Sequence, residues 1–508
     1  MKVNYIIIQA GGKGTRLGYL TQNRPKAIVS VNNRPIIFHL FEKFPNAKFI
    51  IIGDYKCDVL RKYLECFAQV SYLIVQAEGE GNACGLRQAL DIIPEKEPFM
   101  LLWSDLLLDD ELNLENLNKG CYLGVTDKFK CSWKYEDGRL EKTSTQKNGV
   151  AGLFLFDEKS KMSDVPMKGS FARWLQSKNL DMEELSLENS EEVGSLEAIK
   201  AVDQSNQNRC RPYNKMTFSE NKVTKEGLTQ EGKNLIKREV VWYKTVEKHQ
   251  FAGIPRIYSY DPLIMEKIDG DNIFKGHYTG EQKKRIIDKL VDNLNVLHQM
   301  ERSEPNVFDM QEDYYSKTLK RLNGIRNVIP FSNDLYITIN GKKCRNIFYN
   351  TDLFQKMVDA LIQGKSEFGC IHGDGTLTNT MIDKDENIFF IDARGYFGKT
   401  PIVGDVYYDW AKLYYSIQGA FDQFNIKNFE LRISDEEVQY EISPSGWEEF
   451  TDYFLSRIPD CDEYRIKLIH AIIWLSLASH CWEDYDSMCL AFYNGLFLWN
   501  ELIQGDHI

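Results

Sequence analysis

The sequence predicts a two-domain chain, α/β in its first part and α+β in its second. Three observations predict it. Short apolar runs at residues 3–9 and 48–53, both rich in Ile, and at 71–76 and 98–103 alternate with polar or helix-like stretches, the pattern of a mixed, mostly parallel sheet covered on both faces. The stretch Asp203-Gln204-Ser205-Asn206-Gln207-Asn208-Arg209-Cys210-Arg211-Pro212 is polar and lacks an apolar period, which reads as a linker. Beyond it, strand-like material gives way to an amphipathic stretch near 281–299 and helix-like segments at 446–457 and 463–502. The expected organisation is a domain over residues 1–203, a linker over 204–215 and a second domain over 216–508. Within the second, Asn340-Gly341 between Tyr336-Ile337-Thr338-Ile339 and Lys342-Lys343 predicts a two-residue hairpin.

Composition narrows the functional classes. A chain of 508 residues accommodates two or three domains of roughly 100–200 residues. No segment reaches the roughly 18 unbroken apolar residues of a membrane helix, so no membrane span is expected. Met1 to Ala10 reads as a first buried strand that runs into a glycine loop, not as a signal peptide. Lys plus Arg is 62 against 74 Asp plus Glu, a formal charge of −12. Without a basic block, that balance argues against a nucleic-acid partner. The eleven cysteines are odd in number, scattered and never spaced as CxxC, which suits reduced thiols of a cytoplasmic protein better than disulfides or structural zinc. No signal for an oligomeric state stands out.

The first chemical constellation follows the first strand: Gly11-Gly12-Lys13-Gly14-Thr15-Arg16-Leu17, then Arg24-Pro25-Lys26. Closely spaced glycines let backbone N–H groups of Gly11, Gly12, Gly14 and Thr15 approach phosphate oxygens. Arg16 and Lys26 can neutralise a triphosphate during displacement at its α-phosphorus. Taken alone, such a loop is also an ordinary strand-to-helix turn. The whole string resembles the signature of the nucleotidyltransferases that join nucleoside triphosphates to sugar phosphates or phosphorylated alcohols, a Rossmann-like fold. The resemblance covers about residues 3–202. It implies that Gln76 and Gly81-Asn82-Ala83-Cys84-Gly85-Leu86 read the nucleobase, and that Asp105, at the end of Leu101-Leu102-Trp103-Ser104, holds Mg²⁺. Val150 to Phe156 resembles the sugar-side strand of the family. Glu192-Val193-Gly194-Ser195-Leu196-Glu197 resembles a later turn whose metal-binding Asp is replaced here by Glu192. Either Glu192 serves as the second ligand, or Glu191 or another acid such as Asp127 does.

The second constellation is Phe368-Gly369-Cys370-Ile371-His372-Gly373-Asp374-Gly375-Thr376-Leu377-Thr378-Asn379, followed by Ile388-Phe389-Phe390-Ile391-Asp392-Ala393-Arg394-Gly395. Phosphoryl transfer from ATP to a hydroxyl needs an acid that accepts the proton and oxygen ligands that hold Mg²⁺ on the phosphates. Asp374 suits the first task, Asn379 and Asp392 the second. His372 is expected to orient the loop, and His298 to be structural. The string resembles the aminoglycoside phosphotransferase and choline kinase family, which has the protein-kinase-like fold; Gly404-Asp405-Val406-Tyr407-Tyr408-Asp409-Trp410-Ala411 resembles its next element. The resemblance implies a phosphate-binding lysine, for which Lys225 is the candidate, with Glu239 as its partner. It also implies a connector at Ile264-Met265-Glu266-Lys267-Ile268, where the backbone at Met265 would meet adenine. Trp474, Trp482, Tyr485, Tyr493 and Trp499 could line an acceptor pocket that holds a quaternary ammonium, or could be helix core.

Together these readings imply a bifunctional enzyme with Mg²⁺ in both domains and small-molecule substrates. The second domain phosphorylates a hydroxyl compound with ATP, and the first couples the phosphate product to another nucleoside triphosphate with release of pyrophosphate. A sugar is the leading acceptor, which by family resemblance suggests a precursor of surface or capsular polysaccharide. Choline, ethanolamine or a polyol, coupled to CTP, is the alternative. A nucleotide-binding regulatory or scaffold protein with one inactive domain is the alternative of another class, motivated by Glu192 and the unusual Ala393-Arg394.

Overall fold

The computed structural model describes residues 1–178, 180–204, 214–364 and 366–505. The chain divides into two compact units, one of residues 1–207 with 482–485 and one of residues 208–481 with 486–508. Most of the expected linker, residues 205–213, lies outside the described residues.

The first unit is built on a nine-stranded mixed sheet. Its centre is parallel: Tyr5–Gln9 pairs with Lys48–Gly53 on one side and Phe99–Trp103 on the other, and Lys48–Gly53 pairs with Ser71–Gln76. Ile6, Ile7 and Ile8 are fully buried, as a parallel strand covered on both faces requires, which is why the sequence shows an unbroken apolar run here rather than alternation. Gly149–Phe156 adds to this sheet antiparallel to Phe99–Trp103, and all eight of its residues are buried. The chain builds outward from Tyr5–Gln9 in one direction, then returns to place Phe99–Trp103 on the opposite side. Strand order therefore reverses between these two neighbours, and the crevice at their C-terminal ends is where open α/β sheets place ligands.

The second unit opens with a four-stranded antiparallel sheet in the order Asn214–Phe218, Lys222–Gly227, Leu263–Glu266, Ile257–Tyr260. The helix Gln230–Lys248 follows, capped by the Thr229 hydroxyl, which accepts from the Gly232 N–H. The amphipathic stretch forms the helix Gly280–His298, with a reciprocal capping box between Thr279 and Gln282. Small sheets then carry the second motif: Phe368–Cys370 pairs with Val403–Asp405, and Thr380–Asp383 with Ile388–Phe390. Asn340 and Gly341 both take positive φ, 48° and 75°, as a tight hairpin turn needs.

The expected continuous helix over 463–502 is interrupted. Glu463–Leu477 tightens into a 3-10 turn at Ala478–Cys481, and a new helix runs over Tyr485–Gly505. Apolar periodicity continues through the break, so the period alone could not reveal it. Among the described residues no helix is long and apolar enough to cross a membrane, and the ten described cysteines are free thiols.

Candidate active sites

In the first unit, four side chains named from the sequence converge. Asp105 lies just beyond Phe99–Trp103, and the two-residue strand Glu191–Glu192 pairs antiparallel with Leu106–Leu107, setting Glu192 opposite Leu106. The Val193 N–H donates to the Asp105 carbonyl at 2.8 Å. Arg16 Nη2 donates to Glu192 Oε1 at 2.8 Å and lies 4.0 Å from Asp105 Oδ2, while Lys26 Nζ contacts the same Asp105 oxygen. Two fully buried neighbours, Leu17 and Val193, hold Arg16 and Glu192 in place by packing in one small apolar cluster. Gly194 leaves room for these groups: a Cβ there would lie 2.2 Å from Glu192 Oε1, 2.6 Å from Arg16 Nη2 and 2.8 Å from Asp105 Oδ2, so any other residue would displace the ends of these side chains. Glu191 points the other way, as its neighbour in a strand must, and pairs with Lys128 at 2.7 Å. Asp127 accepts the Asn148 N–H at 2.6 Å. Of the three acids weighed for the second position, only Glu192 faces Asp105 and the cations.

The glycine loop sits over this group. Among the described residues, the N–H groups of Gly12, Lys13, Gly14 and Thr15 have no protein acceptor, which leaves an arc of backbone donors suited to phosphate oxygens. Gly11 packs against Asp54, where a Cβ would come within 2.9 Å of the Asp54 Cβ. The Gly81 segment is clasped to Gly169: Gly169 N–H donates to Glu80 O at 2.7 Å and Ala83 N–H to Gly169 O at 2.9 Å. Gln76 ends the edge strand with its side chain exposed. The sequence reading missed Gln9 and Trp103, register partners at the ends of adjacent strands. Gln9 Oε1 and Trp103 Nε1 are both buried with no protein partner among the described residues.

In the second unit, Lys225 of the strand Lys222–Gly227 donates to Glu239 Oε2 of the helix Gln230–Lys248 at 2.7 Å and also contacts Asp392. Burial by itself would lower the Lys225 pKa, but the carboxylates of Asp392 and Glu239 outweigh it and raise it above the ordinary lysine value. Desolvation likewise opposes ionisation of Asp392, and the Lys225 ammonium overcomes it, so the carboxyl stays below its ordinary value. Asn379 Nδ2 donates to Asp374 Oδ2 at 2.9 Å and to the Asp374 carbonyl at 3.0 Å. His372 is buried, Nε2 lying 3.0 Å from Ile391 O and Nδ1 accepting the Asp374 N–H at 3.2 Å. It links the loop of Asp374 to the strand end that carries Asp392. Burial pushes its pKa down, so the ring is held neutral.

Two contributors were not assigned from the sequence. Asp409, fully buried, accepts from the His372 N–H at 2.9 Å and the Gly373 N–H at 2.7 Å, with His298 Nε2 at 3.2 Å. Lys412 Nζ lies 2.9 Å from Asp374 Oδ1. Both belong to the helix Val406–Ile417, and their spacing of three places them on one face. That Asp-x-x-Lys pattern was the available signal.

Two expectations meet a different geometry. Met265 lies inside Leu263–Glu266, in register with Val223 on one side and Ile257 on the other. Its backbone is taken up by the sheet, and a connector with free backbone groups starts only after Lys267, whose N–H donates to Asn221 O. Trp474, Tyr485, Tyr493 and Trp499 are at most 1% exposed, and Trp474 Nε1 donates to His470 Nε2 at 2.9 Å. They are core and present no face to a ligand, and Trp482 and Tyr485 fall in the other unit.

Each site offers two carboxylates beside cations, Asp105 with Glu192 and Asp374 with Asp392, and the Asn379 amide bonds to Asp374. No group of three or more His, Cys, Asp or Glu suited to a metal occurs among the described residues. This donor set fits Mg²⁺, which is commonly held by one or two carboxylates together with substrate phosphates.

Comparison with known proteins agrees for the N-terminal part. The nucleotidyl transferase family model matches residues 5–119. Over 117 residues the chain is 32% identical to the bifunctional protein GlmU of Methanococcus maripaludis, covering 22% of this chain and 28% of that protein. It is 33% identical over 111 residues to mannose-1-phosphate guanyltransferase of Saccharomyces cerevisiae, covering 20% and 31%. The chain thus spans about a third or less of the length of these relatives. The solved CTP:phosphocholine cytidylyltransferase of Streptococcus pneumoniae aligns with a TM-score of 0.33 and 20% identity, over 40% of this chain and 99% of that one. The chain carries a nucleotidyl transferase domain at its N-terminus.

Proposed function

We propose that the chain is a bifunctional enzyme whose second unit phosphorylates a small hydroxyl compound with ATP and whose first unit joins the phosphate product to a nucleoside triphosphate. The observation that carries this reading is that each unit holds its own set of cations and carboxylates: Lys225, Glu239, Asp392, Asp374 and Lys412 in one, Arg16, Lys26, Asp105 and Glu192 in the other. In the second unit, Asp374 accepts the hydroxyl proton as the acceptor oxygen bonds to the γ-phosphorus. The bond from the γ-phosphorus to the bridging oxygen breaks, and ADP leaves. Lys225 holds the ATP phosphates and Glu239 holds Lys225. In the first unit, a phosphate oxygen of the product attacks the α-phosphorus, and pyrophosphate leaves. Arg16, Lys26 and the loop N–H groups stabilise the charge that gathers there. Asp105 with Glu192, and Asp392 with Asn379, would hold Mg²⁺, which neutralises phosphate charge in both reactions.

A sugar is the acceptor class favoured by resemblance, and a nucleotide-activated sugar is a form in which surface polysaccharide precursors are built. The test is to follow ADP release with ATP and candidate acceptors, and pyrophosphate release with each nucleoside triphosphate and phosphorylated acceptors. Asp374→Asn should abolish the first while the second persists, since independent units act additively. Equal loss of both would refute two separate sites, and nucleotide binding without turnover would favour the scaffold reading.

A further inference from the structure

We propose that the acceptor phosphorylated at Asp374 is itself an anion, a hydroxyl compound already carrying a phosphate or carboxylate group, which Arg321, Arg394 and Lys412 receive. This rests on the kinase reading of the second unit and names its substrate class.

The charge around the loop is unbalanced. Arg394, two residues beyond Asp392, donates its backbone N–H to His372 O at 2.9 Å and packs so closely that a Cβ on Gly373 would lie 3.0 Å from its own. Its Nη2 donates to both Asp313 carboxylate oxygens at 3.1 and 2.8 Å, and its Nη1 to Tyr408 Oη at 3.0 Å. Lys317 contacts the same Asp313, and Lys412 is paired with Asp374. Arg321 donates to the neutral Ser476 Oγ at 2.5 Å and has no carboxylate within 4.0 Å among the described residues. Three guanidinium or ammonium groups, Arg394, Arg321 and Lys412, therefore stand against two carboxylates, Asp313 and Asp374, and Arg238 lies over the Tyr396 ring at 4.5 Å.

The surplus is felt within the group. Burial pushes the Lys317 pKa down to about 5, and the positive charges of Arg394, Arg321 and Lys412 add to that effect against the smaller opposing pull of Glu312, so Lys317 is a neutral amine at neutral pH. Cations held together out of water are stabilised by an incoming anion, which supplies the missing charge and accepts their N–H groups. Guanidinium forks match phosphate and carboxylate geometry.

The same arrangement disfavours a quaternary ammonium. Tyr396 and Tyr408 already face the Arg394 guanidinium at 4.2 and 5.3 Å, and the large helix aromatics are buried core. A cationic acceptor would meet like charge, which costs affinity.

The test uses the whole chain with ATP and Mg²⁺ and matched acceptors: glycerol, glycerol 3-phosphate and glycerate; glucose, glucose 6-phosphate and gluconate; and choline. ADP release should favour anionic members over their neutral parents by about 10-fold or more in kcat/KM, the scale of one charge-assisted hydrogen bond. The phosphate and carboxylate arms show which anion is meant. Arg321→Gln should raise KM for the anionic acceptor by a similar factor and leave KM for ATP unchanged, with Arg321→Lys recovering part of the loss. A shift in KM for ATP alone would assign these cations to the nucleotide and overturn the proposal. So would preferred turnover of glycerol, glucose or choline, although the kinase reading would then stand. Stability gives a readout that needs no turnover. Inorganic phosphate should raise the unfolding midpoint of wild type more than that of Arg321→Gln, at ionic strength matched with choline chloride. Equal shifts in the two proteins would overturn the anion site whichever acceptor is used. An Arg321-dependent shift without ADP release from any acceptor would support the anion site while sinking the kinase reading.

Discussion

Replacing Asp409 by Asn probes how the loop of Asp374 is held. The carboxylate presents Oδ1 to the Gly373 N–H and Oδ2 to both the His372 N–H and His298. An amide has one oxygen and one NH₂, so at least one of these oxygen positions becomes a donor facing a donor. The cheaper orientation keeps the oxygen toward His372 and His298 and turns NH₂ toward Gly373, whose N–H now stands 2.7 Å from the oxygen it would lose. One charge-assisted bond is lost and a buried N–H is left unpaired, costing roughly 1.5–3 kcal/mol of stability. Relief comes by moving Gly373, which sits at φ 77° immediately before Asp374. A displacement of about 1 Å at a reacting group can cost on the order of 100-fold. ADP release should therefore fall by about 100-fold, while pyrophosphate release from the same preparation is unchanged. ADP turnover within threefold of wild type would refute the claim that Asp409 positions Asp374.

Asp105→Asn should reduce pyrophosphate release by about 100-fold or more and spare ADP release, because the amide cannot match the charge that Lys26 and Arg16 now meet; an unchanged rate would make Asp105 a cap. Gly81→Ala would place a Cβ 2.2 Å from Gly169 O at φ 95°. A rise of about 10-fold or more in KM for the nucleoside triphosphate is expected, and an unaltered KM would remove this loop from the nucleotide site. His470, buried and accepting from Trp474 Nε1, has its pKa pushed down to about 3 by burial. The unfolded chain binds this proton near pH 6.5, so stability from this group is complete above that pH. It falls by about 1.4 kcal/mol per unit as pH drops toward 3. Denaturant unfolding of wild type and His470→Gln between pH 4 and 7 should show a flatter slope for the variant, and parallel slopes would contradict it.

Local pattern determined much of this protein. The four central strands of the first unit lie within two residues of the apolar runs in the sequence, because strands buried on both faces need unbroken apolar stretches. The hairpin at Asn340-Gly341 was legible because turn chemistry acts over a few residues, and the helix Gly280–His298 was legible from its apolar period. The glycine loop and the His-x-Asp string named side chains that the fold gathers, as Arg16 with Glu192 and Asp374 with Asn379. Tertiary structure decided what depends on approach between distant segments. The choice of Glu192 over Glu191 follows from which strand face meets Asp105. The backbone of Met265 is spent because two neighbouring strands flank it, which no local signal records. Asp313, Arg321, Arg394 and Lys412 lie on separate elements across some hundred residues, and no spacing along the chain joins them. Only packing sets these three cations against Asp313 and Asp374, because electrostatic imbalance is a property of proximity in space and not of spacing along the chain.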